Sequence, residues 1–477
     1  MFNNAQEVLD FIKREEVVDV DFKTIDLFGR WHHLTFPARR CDGAPFVEGF
    51  GFDGSSYGFK KVDRSDMIML PDLSTGCLDP FFEAKTLSFI ADIHLTDDEE
   101  SRYPSDPRFI AEKAEEYLKT LGVGDRLVLG PEYEFYVFDS VAFANKANEA
   151  FFAVDACQAS WNSGNLDCGN SGYQMQDKAG YHAGLPLDTL ANFRSSLCQI
   201  LDQMGVEVKY HHHEVGGIGQ QEIEVAWDSP RTMADKTMAI KYAAKNFALT
   251  QGKTLTFMPK PLHGQPGNGM HVHFKLYDGE NPVFSDENGY SGLSETALQF
   301  IAGILKHSPA LLGLTNPSTN SYKRLVPGYE APVSIAFATA NRSAAIRVPG
   351  YVKTAEDRRF EFRTPDATCN PYLAFAAIAM AGFDGIRKKM DPTELGFGPI
   401  DRNIFDLSPE ERSKIHALPT SLAEALQALR EDHDFLLEGG VFTEDLIDTW
   451  IKRKTEEEVI PVQIRPHPME YSLYYDL

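Results

Sequence analysis

The chain has little cysteine, little positive charge and no cysteine pairing pattern. Its six cysteines, Cys41, Cys77, Cys157, Cys168, Cys198 and Cys369, are irregularly spaced and form no CxxC pair. A disulfide framework would be denser and the chain shorter, so reduced cysteines in a cytoplasmic protein are expected. Lys and Arg number 46 against 70 Asp and Glu, a formal charge of −24. A chain this acidic repels nucleic acid and anionic membranes, so neither is expected as a partner. An anionic substrate must then be met by a local cluster of Arg and Lys. The N-terminal stretch 1–16 reads as an acidic amphipathic helix without an apolar h-region, so no signal peptide is expected. No apolar run reads as long enough to span a membrane.

What is present is an ordinary globular composition, 43% hydrophobic and 24% charged, over 477 residues. That length predicts two or more domains. Residues 1–103 read as a small α+β unit, with a helix from about Ala5 to Glu15 and strand-like segments at Val18–Phe22, Trp31–Phe36 and Thr86–Ile90. Asp106 as N-cap and Pro107 in the first turn open a helix that stops at Gly122. The boundary is placed near Tyr103, giving domains 1–103 and 104–477. Helical periodicity follows at Asp188–Met204, Pro230–Thr250, Leu293–His307, Pro371–Met390, Leu422–Glu431 and Thr443–Glu457. The stretch from Ala142 to Gly180 lacks clear periodicity and reads as a long ordered loop.

Four short segments carry polar groups at alternate positions: Glu132-Tyr133-Glu134-Phe135, Glu222-Ile223-Glu224-Val225, His271-Val272-His273-Phe274 and Arg359-Phe360-Glu361-Phe362-Arg363. In a strand, residues i and i+2 share a face. Each segment therefore presents charged or imidazole groups on one side and apolar groups on the other, the pattern of a curved sheet between a core and a polar cavity. Stacked carboxylates repel unless cations neutralise them. A mostly carboxylate donor set favours Mg²⁺ or Mn²⁺ over zinc. Arg324, Arg342, Arg347, Arg359 and Arg363 supply the guanidinium forks that bind carboxylates and phosphates. Val326–Pro332, with Glu330 at its tip, reads as a flap over that anion site.

Three familiar patterns do not carry weight. Gly49-x-Gly51-x-x-Gly54 has the dinucleotide spacing and Gly54-x-Ser56-x-Gly58 that of a nucleophile elbow, but neither is followed by a helix pattern. Gly252-Lys253-Thr254 resembles the end of a P-loop, but Phe247 stands where its first glycine is required.

Longer blocks carry a resemblance. Asp53-Gly54-Ser55-Ser56, Gly130-Pro131-Glu132-x-Glu134-Phe135, His212-His213-Glu214-Val215, Gly269-Met270-His271, Asn320 to Pro332, Asn341-Arg342-Ser343 and Arg359-x-Glu361-x-Arg363-x-Pro365-Asp366 resemble the signature blocks of bacterial type I glutamine synthetase, in its β subdivision. The resemblance implies an α+β fold, with a β-grasp-like N-terminal domain and a catalytic domain built on a curved antiparallel sheet flanked by helices. It implies ATP-dependent ligation of ammonium to L-glutamate through γ-glutamyl phosphate. By matching motif, Glu134, Glu214 and Glu222 would bind one metal ion, and Glu132, His271 and Glu361 a second. Arg324, Arg342 and Arg363 would clamp the glutamate carboxylates and the phosphoryl group in transfer, with Gly267 at the glutamate amino group. Arg347 and Arg359 would contact the ATP phosphates, and His273 and Trp227 would line the nucleotide site. Asp53, from a neighbouring subunit, would take the proton from ammonium, with Ser56, Tyr181, Glu214 and Glu330 completing that pocket. The family's assembly, a homododecamer of two stacked hexamers, is expected.

The chain departs from the family pattern at several points. Phe405 stands where the β subdivision carries its adenylylated tyrosine, so adenylylation there is not expected. Pro266 replaces an asparagine, Glu356 an ATP-facing lysine, and Lys275 a serine. Two alternatives stand beside the main reading: a γ-glutamyl-amine ligase sharing the same metal and phosphate residues, and a non-catalytic relative, which the intact set of acidic and histidine positions disfavours.

Overall fold

The computed structural model describes residues 2–59, 65–96, 101–168, 170–326, 331–402, 407, 408, 410 and 415–477. Phe405 and Glu330 lie outside the described residues. The chain opens with helix α1 (Ala5–Arg14), whose N-cap Asn4 accepts from the Glu7 amide. Six strands follow: β1 (Asp19–Ile25), β2 (Trp31–Pro37), β3 (Phe50–Asp53), β4 (Asp66–Pro71), β5 (Cys77–Leu78) and β6 (Thr86–Leu95). They form one sheet in the order β2-β1-β6-β4-β3, with β5 on β6. The β1/β6 pair is parallel and its neighbours are antiparallel. Val20, Phe22, Leu87 and Phe89 fill the space between this sheet and α1. The discounted pattern Gly49-x-Gly51-x-x-Gly54 spans the edge strand β3 and the residues on either side of it, and no α-helix follows it before β4 among the described residues.

Helix α2 (Pro107–Leu121) begins and ends as its sequence predicts, with Asp106 accepting from the Arg108 amide and Gly122 in the left-handed region at φ 65°. Beyond it lies a sheet of nine strands. Its main path runs β10 (Val208–His213), β11 (Gln220–Val225), β7 (Arg126–Phe138), β13 (Val272–Asp278), β17 (Phe360–Phe362), β16 (Ala344–Val348) and β15 (Ser334–Thr339). Strands β12 (Thr254–Thr256) and β14 (Asn281–Pro282) pair with β7 and β13. All these pairs are antiparallel except β15/β16. One face of the sheet packs on helices α4 (Pro230–Thr250), α5 (Glu295–Thr315) and α7 (Pro371–Arg387) in a single large core; helix α3 (Ala191–Gln203) and the four-residue α6 (Ser321–Arg324) also lie in this region.

Five expectations change. The stretch from Ala142 to Gly180 is not only loop: strands β8 (Ser140–Asn145) and β9 (Ala150–Asp155) pair there as a hairpin. Most of their side chains are exposed on both faces, so no amphipathic alternation announced them. Helix α3 begins at Ala191 because Asp188 turns its carboxylate to the Leu190 amide and the Arg194 guanidinium. Helix α5 continues past His307 through Pro309 to Thr315. It is apolar and long enough to cross a membrane by composition, correcting the expectation of no such run, but 78% of its apolar window is buried inside the protein. The helix expected over Thr443–Glu457 ends at Lys454, followed by a π turn over Thr455–Val459.

Candidate active site

The strand register assembles the site. His212 on β10 lies opposite Glu222 on β11, which lies opposite Glu134 on β7. One step along, Glu224 lies opposite Glu132. His273 lies opposite both Gly130 and Glu361, and Glu361 opposite Arg347. Because i and i+2 share a face, these rows fall on one side of the sheet. Tyr133, Phe135, Ile223, Val272, Phe274, Phe360, Phe362 and Ile346 fall on the other, inside the core. The segments therefore behave as their alternation predicts.

A cleft of about 970 Å³ opens over the polar face. Its lining includes Glu132, Glu134, Glu214, Glu222, His271 and Glu361, together with Arg324, Arg342, Arg347 and Arg363. Tyr181 and Gly267 also line it. A side chain at Gly267 would collide with the Pro259 carbonyl and the Arg324 stem, so glycine is required there. The guanidinium of Arg324 is buried against the Thr364 and Arg363 carbonyls and donates to His271 Nε2 at 3.2 Å. Arg363 Nε and Arg347 Nη1 hold the two oxygens of Glu361 at 2.9 and 2.7 Å.

Two carboxylate groups in this cleft differ sharply. Burial pushes Glu132 up, but hydrogen bonds from His271 at 3.0 Å and His273 at 2.9 Å outweigh it and hold the carboxyl well below its usual range. Glu361 is likewise held down to about 2, with Arg363 opposing the burial that would raise it. Glu214 is the reverse case. Burial, then Glu134 and Glu222, push it up to about 9. Glu222 is driven well above the usual range by burial, Glu132 and Glu134. Among the described residues, the donor atoms that come within 4.8 Å of one another form two triplets, Glu132–His273–Glu361 and His212–Glu214–Glu222. These oxygen-rich sets fit hard divalent cations, because the protein itself leaves the carboxylates around Glu214 and Glu222 under-compensated.

The other expected residues sit around this centre or away from it. His271 reaches Glu361 at 3.4 Å as well as Glu132, so both histidines of its segment touch the same carboxylate cluster. Trp227 packs face-on over Gly130, where an added Cβ would meet the indole at 3.0 Å. Lys275, Lys209 and Arg359 approach that indole at 4.9, 5.7 and 6.0 Å. Arg359 also donates to the Asp357 carbonyl and the Tyr351 hydroxyl. Asp53 and Ser56, at the end of β3, do not line the cleft of their own chain. Hydrogen bonds from Ser55 first, then Ser65 and Ser56, hold Asp53 at about 2. Among the departures, Glu356 accepts from the Tyr277 hydroxyl at 2.6 Å, and Pro266 lines the cleft. Lys178, Arg194 and His212 line it too and were not expected. For His212 the signal was available, since it lies two residues before Glu214.

Comparison with known proteins agrees with this geometry. Residues 104–474 match the profile of the glutamine synthetase catalytic domain, and residues 16–96 that of the glutamine synthetase β-grasp domain. The chain is 48% identical to glutamine synthetase of Streptomyces coelicolor over 100% of both chains. It is 48% identical to that of Aquifex aeolicus, with 99% of each covered. Among solved structures it is similar to Plasmodium falciparum glutamine synthetase, with a TM-score of 0.88 and 29% identity over 99% of each chain. It is similar to GmaS in its complex with ADP, with a TM-score of 0.81 and 25% identity over 100% of each chain. With a β-grasp domain, a carboxylate- and arginine-lined sheet face and full-length relatives that are glutamine synthetases, the chain belongs to the glutamine synthetase family, the ATP-dependent glutamate–ammonia ligases.

Proposed function

We propose a division of labour within the ligation of ammonium to L-glutamate at the expense of ATP. Glu134, Glu214 and Glu222 would hold one divalent cation, Mg²⁺ or Mn²⁺, and Glu132, His271 and Glu361 a second. Bound cations would neutralise the carboxylate and phosphate oxygens that must approach each other when γ-glutamyl phosphate forms. Arg347 and Arg359 would hold the ATP phosphates, and His273 and Trp227 would border the nucleotide. Arg324, Arg342 and Arg363 would grip the glutamate carboxylates and the phosphoryl group in transfer, with Gly267 leaving room for the substrate amino group. Asp53, kept ionised by its serine hydrogen bonds, would accept the proton that ammonium must lose before it attacks the acyl phosphate. That it does not line the cleft of its own chain supports its arrival from a neighbouring subunit, in a homododecamer of two stacked hexamers. Ser56, Tyr181, Glu214 and Glu330 would complete the ammonium pocket, and Glu330 would shield the intermediate from water. The domains divide at 103/104, the setting is the cytoplasm, and Phe405, having no hydroxyl, would leave the β-subdivision adenylylation site without an acceptor.

The observation that carries this reading is the register that places Glu132, Glu134, Glu222, His273, Glu361 and Arg347 on one sheet face. The test is phosphate release from ATP with glutamate, with and without ammonium or a panel of amines, scoring glutamine directly. Glutamine formed only with ammonium supports the assignment. Product formed only with an amine moves the chain to the γ-glutamyl-amine ligases.

A further inference from the structure

His212 is set up in a way that no role above uses. It lies directly across the β10/β11 ladder from Glu222, and its Nε2 stands 3.4 Å from Glu222 Oε1. Its Nδ1 is 3.0 Å from the His213 carbonyl. A carbonyl can only accept, so Nδ1 carries the proton and donates it. The other ring nitrogen, Nε2, is thereby turned toward the carboxyl groups of Glu214 and Glu222, across the gap where a shared cation would sit. Donation of one ring nitrogen to a backbone carbonyl is also the arrangement that orients histidines bound to metals. The ring is fixed on its other sides by His182, at 4.5 Å and 65°, and by Tyr181, at 5.4 Å and 72°. Its donor atom lies within 4.8 Å of those of Glu214 and Glu222, whereas Glu134 commits Oε2 to the Gly269 amide at 2.6 Å.

We propose that His212 Nε2 is a direct ligand of the cation held by Glu214 and Glu222, and that this nitrogen biases the site toward Mn²⁺ over Mg²⁺. The inference rests on the reading of Glu214 and Glu222 as metal ligands. Mg²⁺ is a hard ion that prefers oxygen and keeps its waters, whereas imidazole suits later first-row divalent ions better. Substituting nitrogen for one oxygen donor therefore shifts relative affinity rather than simply adding to it.

The test is Mn²⁺ binding to the full-length protein, followed by the electron paramagnetic resonance of the free ion, with Mg²⁺ as competitor. In His212→Asn, Mn²⁺ affinity at one site is expected to fall by about tenfold or more, while Mg²⁺ affinity changes by less than about twofold. His182→Asn, which removes a ring neighbour of His212 but no donor atom of the triplet, is expected to change neither. If Glu222→Gln loses the site and His212→Asn keeps both affinities, the inference is overturned and the carboxylate reading stands. If Glu222→Gln keeps every Mn²⁺ site, both fall. A structure of the unmutated protein with Mn²⁺ gives a readout independent of variant folding. His212 Nε2 within about 2.5 Å of the ion supports the inference, near the ordinary metal–imidazole length, and a separation above about 3 Å overturns it.

Discussion

Two buried charge clusters in this molecule are built on opposite principles. In the N-terminal domain, Lys23 donates to Asp21 at 2.6 Å, Asp79 at 2.9 Å and Ser88 at 2.8 Å. The remaining oxygens are taken by Thr35, His33 and the Tyr242 hydroxyl, which α4 brings from the catalytic domain. Every charge is closed within the protein, and Lys23 lies 5.3 Å over the Tyr242 ring. In the cleft, Glu361 is closed in the same way by Arg347 and Arg363, but Glu214 and Glu222 are not. The first cluster docks the domains and needs nothing more. The second crowds carboxyl groups that the protein leaves under-compensated, where the proposed cation would neutralise them.

Breaking the closed cluster is expected to have the largest effect. Lys23→Ala strands two buried carboxylates and should cost about 3–5 kcal/mol of stability, read as a lower denaturant midpoint. Ligase turnover per folded molecule should change little. Glu222→Gln in the open cluster should do the reverse: the metal-free protein keeps or gains stability because a repulsive charge is gone, while metal affinity falls by about 10–100-fold. Calorimetric titration of both variants with Mn²⁺ checks that contrast, and equal loss of stability in both would erase the distinction.

The pH response sharpens it. Glu214 titrates at about 9 in the fold against an ordinary value near 4.5. A raised acid favours the folded state fully below its ordinary value, and that contribution is lost as pH rises toward 9. The metal-free protein should therefore melt at progressively lower temperature between about pH 5 and pH 9. The metal-loaded protein should show a flatter profile, and loading near neutral pH should release protons, measurable as a buffer-dependent heat. The smallest effect is expected at His307, buried between Asp384 at 3.0 Å and Asp432 at 2.8 Å. Burial opposes its charge, but the two carboxylates raise it above its ordinary value. Its contribution is complete below about pH 6.5 and fades as pH rises through the shifted value, so His307→Gln should cost about 1–2 kcal/mol at pH 6 and less at pH 9.

Much of this was legible in the chain because a strand's two-residue period is rigid. Once Glu132-x-Glu134 and Glu222-x-Glu224 are read as strands, their shared face follows. The partner across the ladder does not follow, because register is a long-range property, and so His212 opposite Glu222 had to be seen. Helix ends were legible where a cap is local, as at Asp106 and Gly122. They were missed where burial overrides a local signal, as at Pro309, which α5 carries within the core. Asp53 illustrates a further limit: its motif is plain in the sequence, but it does not line the cleft of its own chain, and what it faces in an assembly is not a property of one chain.

The contact of Trp227 with Gly130 has an optical consequence. The indole stands beside His273, with ring centroids 6.0 Å apart, and inside a ring of Lys209, Lys275 and Arg359. Charges that arrive at the neighbouring carboxylates alter the field across that chromophore, while Trp450 is sealed in the core, Trp31 lies tilted against Tyr242 and Trp161 is exposed outside the cleft lining. The chain thus carries an intrinsic fluorophore beside its carboxylate cluster, whose emission can report a change of charge there without any attached dye.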